Sequence, residues 1–357
     1  QEDLLPSFSE RDMAEGAVVS QGMRWYVRTY QSGDETKILE LFKRVFGHER
    51  SLAHWRWKFL ENPAGRQISL AVAEDGGSII GQFAGLPVMS ATPHKTFLLT
   101  QGIDHMVEAA WRRQGIYTAM AQHFFENFVT NKGAAAWYAF PVQGGFDIEA
   151  KAFSCSALHQ VPLLSWDLSN PEPWRPSLQH AQRYRLDHVD RVGPAVDELW
   201  NRCRPEFSLA TVRDSRYLNW RYIDCPDTQY TVTVVTDLMS ERAVGLAIIR
   251  FGWFDHAVAP IVDWLVPNND LDVSRILLTH CHDLAKERGL TAMQASFPSY
   301  TPQHRFLVSL GYSVQLSPFI LSVHGPQGSE ALQAVREGWY YTTVSYTHLT
   351  LPTNREV

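Results

Sequence analysis

Hydrophobic positions along this chain switch period several times, and the switches recur. After Asp34, a residue type suited to a helix N-cap, Ile38, Leu39, Phe42, Val45 and Phe46 fall on one helical stripe. Ala121, Phe124, Phe125 and Phe128 form a second stripe, predicting a helix over 118–130. It stops at Asn131-Lys132-Gly133, where glycine can take the left-handed conformation that ends a helix. Val273, Leu277, Cys281 and Leu284 repeat that pattern and stop at Gly289. Runs rich in β-branched residues, Ile68–Glu74 and Thr231–Val235, predict strands, each followed by a hairpin glycine, Gly81 or Gly245.

Further landmarks recur in one order. Trp55-Arg56-Trp57 precedes Pro63, and Trp220-Arg221-Tyr222 precedes Pro226. A strand with one central Asp follows in each half, at 102–107 around Asp104 and at 260–266 around Asp263. A helix comes next, then a strand ending in Phe140-Pro141 or Phe297-Pro298. Five landmarks in the same order predict a duplication. The expected organisation is a disordered extension over 1–22, one domain over 23–164, a Pro-rich linker over 165–176 (SWDLSNPEPWRP) and a second domain over 177–343.

The 357 residues leave room for two domains, and the 45% hydrophobic content with twelve Trp supports real cores. A net charge of −6 with no basic stripe argues against nucleic acid. Cys155, Cys203, Cys225 and Cys281 lie far apart with no C-x-x-C, so reduced thiols in a cytoplasmic protein are expected. No apolar run is long enough to span a bilayer, so no membrane partner is expected. The start at Gln1 is expected to reflect a fragment or an over-extended reading frame. The end is set aside: Val344 to Thr353, VSYTHLTLPT, resembles a translated sequencing-library adapter, so 344–357 are expected to be a non-native tail.

After the strand at 102–107 come Arg112-Arg113-Gln114-Gly115-Ile116-Tyr117, opening into a helix. The first N–H groups of a helix lack intrahelical partners and carry partial positive charge. A glycine there lets backbone approach an anion, and two arginines add charge, so the loop is a candidate phosphate cradle.

The element order and this loop resemble the GNAT acyltransferase superfamily. Arg112-Arg113-Gln114-Gly115 matches the first four positions of that superfamily's R/Q-x-x-G-x-G/A motif, and Tyr117 departs at the sixth. The resemblance covers Met23 to Thr343 in two copies. It implies an α/β (α+β layered) fold of two tandem domains, each a mixed, mostly antiparallel sheet flanked by helices. It also implies acetyl-CoA or another acyl-CoA as co-substrate. The pyrophosphate would lie on Arg112, Arg113, Gln114, Gly115, Ile116 and Tyr117, and pantetheine beside the strand at Met106 and Val107, where that strand splays from the one at 134–140. The second copy reads PNNDLDVSRILL at the matching place, without R-x-x-G and with two aspartates that would repel phosphate. The first half is thus expected to bind the cofactor, and the second to pack against it or shape the acceptor site.

Acyl transfer to an amine needs a base for the amine and an acid for the thiolate. Strand alternation puts Asp104, Met106 and Glu108 on one face and Ile103, His105 and Val107 on the other, so Asp104, Glu108 and His105 are the catalytic candidates. Asp263 matches Asp104 in the copy without the loop, which fits a structural Asp as well. The resemblance implies a Tyr acid after the fifth strand, and Val142–Cys155 contains none; Cys155, His159 and Tyr138 are the nearby substitutes. His280-Cys281-His282 is expected to be a surface histidine pair around a buried thiol, with no metal. The segment 251–254 could line an acceptor pocket. The leading expectation is an N-acetyltransferase acting on a small amine or amino sugar, as a monomer or homodimer. The alternatives are an acyl-CoA-binding scaffold with a degenerate site, or an aminoacyl-tRNA-dependent peptidyl transferase, which the lack of a basic surface disfavours.

Overall fold

The computed structural model describes residues 17–19 and 24–343, apart from 75, 131–132 and 253–255. Trp253, Phe254 and the tail 344–357 lie outside the described residues, as do the rest of 1–22. Within that predicted disordered extension, Ala17–Val19 forms strand β1, antiparallel to β2 (Arg24–Thr29).

The first half continues with α1 (Glu35–Phe46), α2 (Leu52–Phe59), β3 (Gln67–Ala73), β4 (Ile79–Ala91), β5 (Thr96–Val107), α3 (Ile116–Phe124), β6 (Ala134–Ala139), α4 (Gln143–Phe153) and β7 (Ser156–Asp167). A π-helical turn over 125–130 prolongs α3, so the predicted helix at 118–130 starts two residues earlier and changes pitch near its end. Asp34 stands at the start of α1, but its carboxylate accepts from Arg28 and the Gln31 N–H, not from the helix.

The second half repeats the order: α5 (Leu178–Ala181), β8 (Tyr184–His188), α6 (Pro194–Cys203), β9 (Leu209–Thr211), α7 (Ser215–Leu218), β10 (Tyr230–Asp237), β11 (Arg242–Arg250), β12 (Val258–Leu265), α8 (Leu271–Glu287), β13 (Ala292–Ala295), α9 (Pro302–Ser309) and β14 (Ser313–His324). Then come α10 (Glu330–Gly338) and β15 (Trp339–Tyr340).

The strands join into one mixed, mostly antiparallel sheet. Its order is β1, β2, β3, β4, β5, β6, β14, β7, β13, β12, β11, β10, β8, with β9 bridging β15 and the end of β4. The last strands of the two halves are exchanged. β14 pairs with β6 of the first half, β7 pairs with β13 of the second, and β7 and β14 pair with each other. The predicted linker at 165–176 therefore begins inside a strand, because Ser165–Asp167 complete the β7–β13 ladder. The rest of that segment is also tied down: Glu172 receives Arg175, Lys286 and the buried His282.

The repeat is real, but its register differs from the one the Trp-Arg pairs suggest. Trp57 and Trp220, 163 residues apart, stack with centroids 5.5 Å apart, and each donates its indole N–H to the other's carbonyl, at 2.6 and 2.9 Å. The same spacing relates the N-caps Ser51 and Asp214, the preceding Arg50 and Arg213, and Pro63 and Pro226. Trp55-Arg56 against Trp220-Arg221 is a chance match two residues out of phase.

Helices cover both faces. Ile38, Leu41, Phe42, Trp55 and Phe59 of α1 and α2 fill one side of the first sheet; Ile116, Met120 and Phe124 of α3, with Phe83 and Trp137, fill the other. All four cysteines are buried and free. No helix among the described residues is long and apolar enough to cross a membrane.

Candidate active site

Two parallel strands part at the centre of the first half. β5 pairs with β6 from Leu98–Ala134 to Gln101–Tyr138, and beyond that point β5 runs on to Val107 without it. The other edge of β6 takes β14. β5 is also kinked: its register against β4 shifts between Ala84–Ile103 and Gln82–Met106, and Asp104 lies in the left-handed region with φ 49°. A bulge of this kind bends a strand and breaks its alternation. The floor of the resulting wedge is the Trp137 indole, fully buried over Gly102, where a Cβ would sit 2.4 Å from the ring.

The loop 112–117 lies at the wide end of the wedge. Arg112 Nε donates to the Val107 carbonyl at 3.1 Å, which folds the loop back on the strand. Arg113 (φ 63°) is exposed and has no ion-pair partner among the described residues. Gly115 (φ 79°) begins α3, and no side chain among the described residues caps the helix. A Cβ at Gly115 would meet nothing within 4 Å, so glycine is required there by its backbone angle. The first N–H groups of α3 thus lack a side-chain partner among the described residues and follow an exposed arginine in sequence, an arrangement that attracts anions. Gln114 is half-buried and Ile116 is fully buried in the core under α3. Tyr117 points into the domain. Its hydroxyl lies 3.1 Å from His105 Nδ1, its ring meets Phe83 edge-on, and burial holds its pKa well above the ordinary value.

The bulge corrects the predicted faces of the strand. Ile103 and Met106 both pack in the core under α1 and α2, with the Asp104 carboxylate on that side too, whereas Val107 packs against α3. The Met106 side chain therefore faces away from the wedge. Asp104 accepts from Arg50 at 2.5 Å and Lys58 at 3.0 Å. Burial would raise its pKa, but the two cations outweigh it and hold the carboxyl well below the usual range. A carboxylate so committed is a weak base. Its counterpart Asp263 does the same for Arg213 at 2.7 Å and the Tyr222 hydroxyl at 2.7 Å, which makes both aspartates anchors of the turn before α2 or α7. Glu108 is clamped by Arg44 at 2.9 Å. His105 alone of the three candidates faces the wedge, stacked on Phe83 at 3.8 Å, with burial pushing its pKa down to about 4.

Sequence reasoning missed Glu149. It sits on the buried stripe of α4 with Phe146, Ala150 and Phe153. One oxygen lies 3.7 Å from His105 Nδ1, and the other accepts from Ser322 Oγ of the exchanged strand β14 at 3.3 Å. Ser322 Oγ also reaches the Ala139 carbonyl at the end of β6. The carboxyl therefore spans the gap between the diverging strands. Burial pushes its pKa up to about 8. A carboxylate spaced with apolar residues at i−3, i+1 and i+4 was the available signal.

The other candidates are structural. Cys155 is buried and pushed up to about 12, His159 bonds Tyr341, and Tyr138 is core. His280 contacts His188, while His282 is fully buried between Glu172 and Tyr312, so the expected surface pair is one surface and one core histidine.

The second half has the same parting of strands, with β12 leaving β13 beyond Ile261–Ala295, but both of its features are closed. Asp270 caps α8, accepting from the N–H groups of Asp272 and Val273. The chain's own segment 339–343 fills the gap. Tyr340 donates to the Trp264 carbonyl at 2.8 Å, and Thr343 Oγ1 accepts from the Ser296 N–H at 3.0 Å. Clefts of about 320 and 440 Å³ lie elsewhere, lined around Trp220 and Trp200.

Comparison with known proteins agrees with this geometry. Residues 26–147 match the family model described as an acetyltransferase (GNAT) domain. A search of curated proteins finds no match. Among solved structures, a GCN5-related N-acetyltransferase from Anabaena variabilis is 12% identical with a TM-score of 0.62, over 84% of this chain and 72% of that one. A tandem GNAT protein from the clavulanic acid biosynthesis pathway is 15% identical with a TM-score of 0.57, over 85% and 99%. The N-myristoyltransferase of Saccharomyces cerevisiae with bound myristoyl-CoA is 10% identical with a TM-score of 0.54, over 86% and 83%. The chain has the fold of tandem GNAT proteins, and its residues 26–147 match an acetyltransferase (GNAT) domain.

Proposed function

We propose that the protein transfers an acyl group, most simply acetyl, from acyl-CoA to a small amine or amino sugar. The observation that carries this reading is the pairing of an open strand wedge with an uncapped helix N-terminus in the first half alone. The pyrophosphate would rest on the N–H groups from Gly115 to Tyr117 with Arg113 beside it, and pantetheine would lie along β5 toward Val107 and His105. The second half, with its gap filled and its helix capped, would serve as a wall for the acceptor. The net charge of −6 favours a cationic acceptor over an anionic polymer. The fold of the N-myristoyltransferase, solved with myristoyl-CoA, supports an acyl-CoA donor in general.

Calorimetric titration of acetyl-CoA tests the reading. Wild-type protein is expected to bind, and Arg113→Glu to bind about tenfold or more weakly, because an attractive charge beside phosphate becomes a repulsive one. Equal affinities in the two proteins would remove the cofactor from this loop. The ion-paired state of Asp104 and Glu108 favours a second reading, a scaffold that binds acyl-CoA without turnover. Release of free thiol with an amine acceptor separates the two.

A further inference from the structure

Glu149 is a buried carboxyl with no fixed cation beside it among the described residues, and neither the fold nor the loop explains it. It is 6% exposed. The groups around it come from four places: His105 on β5, Tyr117 on α3, Ser322 on β14 and Cys155 just after α4. None of them supplies a fixed positive charge. Elsewhere in the core the same problem is solved by pairing, as at Asp104 with Arg50 and Lys58, and Asp263 with Arg213. Placement adds a second argument. The carboxyl bridges from His105 on one diverging strand to Ser322, which itself bonds the end of the other.

We propose that Glu149 is the proton donor to the departing thiolate in the acyl transfer, with His105 and Tyr117 as positioning residues that hold its carboxyl across the wedge. The proposal rests on the acyl-CoA reading above. The amine nitrogen attacks the thioester carbonyl carbon and the C–N bond forms. The C–S bond breaks as Glu149 gives its proton to sulfur, and the surplus proton on the new amide nitrogen returns to the Glu149 carboxylate. One proton passes from nitrogen to sulfur, and the enzyme ends as it began. A neutral carboxylic acid at this place suits the task, because burial favours its protonated form at neutral pH.

The test uses the full chain. Acetyl-CoA binding is measured by calorimetry, and thiol release from acetyl-CoA is followed with glucosamine and spermidine as probe amines. Glu149→Gln, an isosteric change, is expected to keep affinity within about threefold and to lower kcat by about 100-fold or more. Glu149→Asp should recover part of the loss. Wild-type kcat should fall as pH rises through about 8, since the acid must be protonated, and that limb should be absent in Glu149→Gln. Tyr117→Phe should shift the limb without abolishing it. An unchanged kcat and pH limb in Glu149→Gln would overturn the assignment, and so would a change in KM alone, which marks a clasp over the wedge. If neither amine supports release, a structure of the acetyl-CoA complex decides: sulfur within hydrogen-bond reach of Glu149 supports the assignment, and sulfur beyond it sinks it. Failure of the wild type to bind acetyl-CoA at all is a separate result, which overturns the proposed function itself.

Discussion

A carboxyl inside a protein avoids the cost of burial in one of two ways: it finds a cation or it keeps its proton. Asp104 takes the first course and Glu149 the second, within one domain, and their effects on stability have opposite sign in pH. Asp104, held below its ordinary value, contributes stability that is present at neutral pH and is lost as pH falls through the acid range. Glu149 has a folded-state pKa of about 8 against an ordinary 4.5, so the folded chain binds the extra proton between those values. Stability should therefore fall as pH rises across that window. Glu149→Gln is expected to match the wild type near pH 4 and to be more stable by about 1–3 kcal/mol near pH 8, measured by urea unfolding at each pH. Neither role could be read from the residues alone. Asp104 looked like a base because its partners Arg50 and Lys58 lie some fifty residues upstream. Glu149 was not singled out because Ser322, which marks its place, lies 173 residues downstream.

At the scale of elements, two equivalent helices begin in opposite ways. α3 starts at Gly115 with no side-chain cap, and α8 starts at Asp270 with two hydrogen bonds to its first turn. The contrast was legible in the sequence, since R-R-Q-G and P-N-N-D carry it in four residues each. Asp270→Ala should cost about 1 kcal/mol, read as a lower Tm, and leave acetyl-CoA binding untouched if the first half holds the whole donor site. Strand β5 was less legible. Alternation assigned Ile103 to the face of His105, and one left-handed residue at Asp104 moved it to the other. A bulge has no signature in periodicity when the residue that forms it is held by distant cations. The repeat shows the same limit. Order along the chain was recoverable, but Trp-Arg matched Trp-Arg two positions out of phase, and the reciprocal Trp57–Trp220 bonds with the matching N-caps Ser51 and Asp214 fix the register.

The whole molecule depends on two strands that changed places. β7 and β14 are equivalent, antiparallel and adjacent, and each completes the other half's sheet. Sequence reading allotted each to its own half, since nothing in a strand's composition says which edge it will join. Two copies of the first half alone could exchange β7 about a true twofold axis. A fragment covering 24–167 is therefore expected to be a dimer by light scattering, and a monomer would mean that β7 can close onto β6 when β14 is missing. The exchange also bears on synthesis. The carbonyl of Ala139 waits for Ser322, 183 residues later. A ribosome delivers the first half long before its sheet can be finished, so the nascent chain carries β6 with an open edge until β14 has been made. Such an edge invites pairing with other chains. Yield in the cell should then depend on elongation speed and on chaperones that cover β strands, more than the stability of the finished protein would suggest.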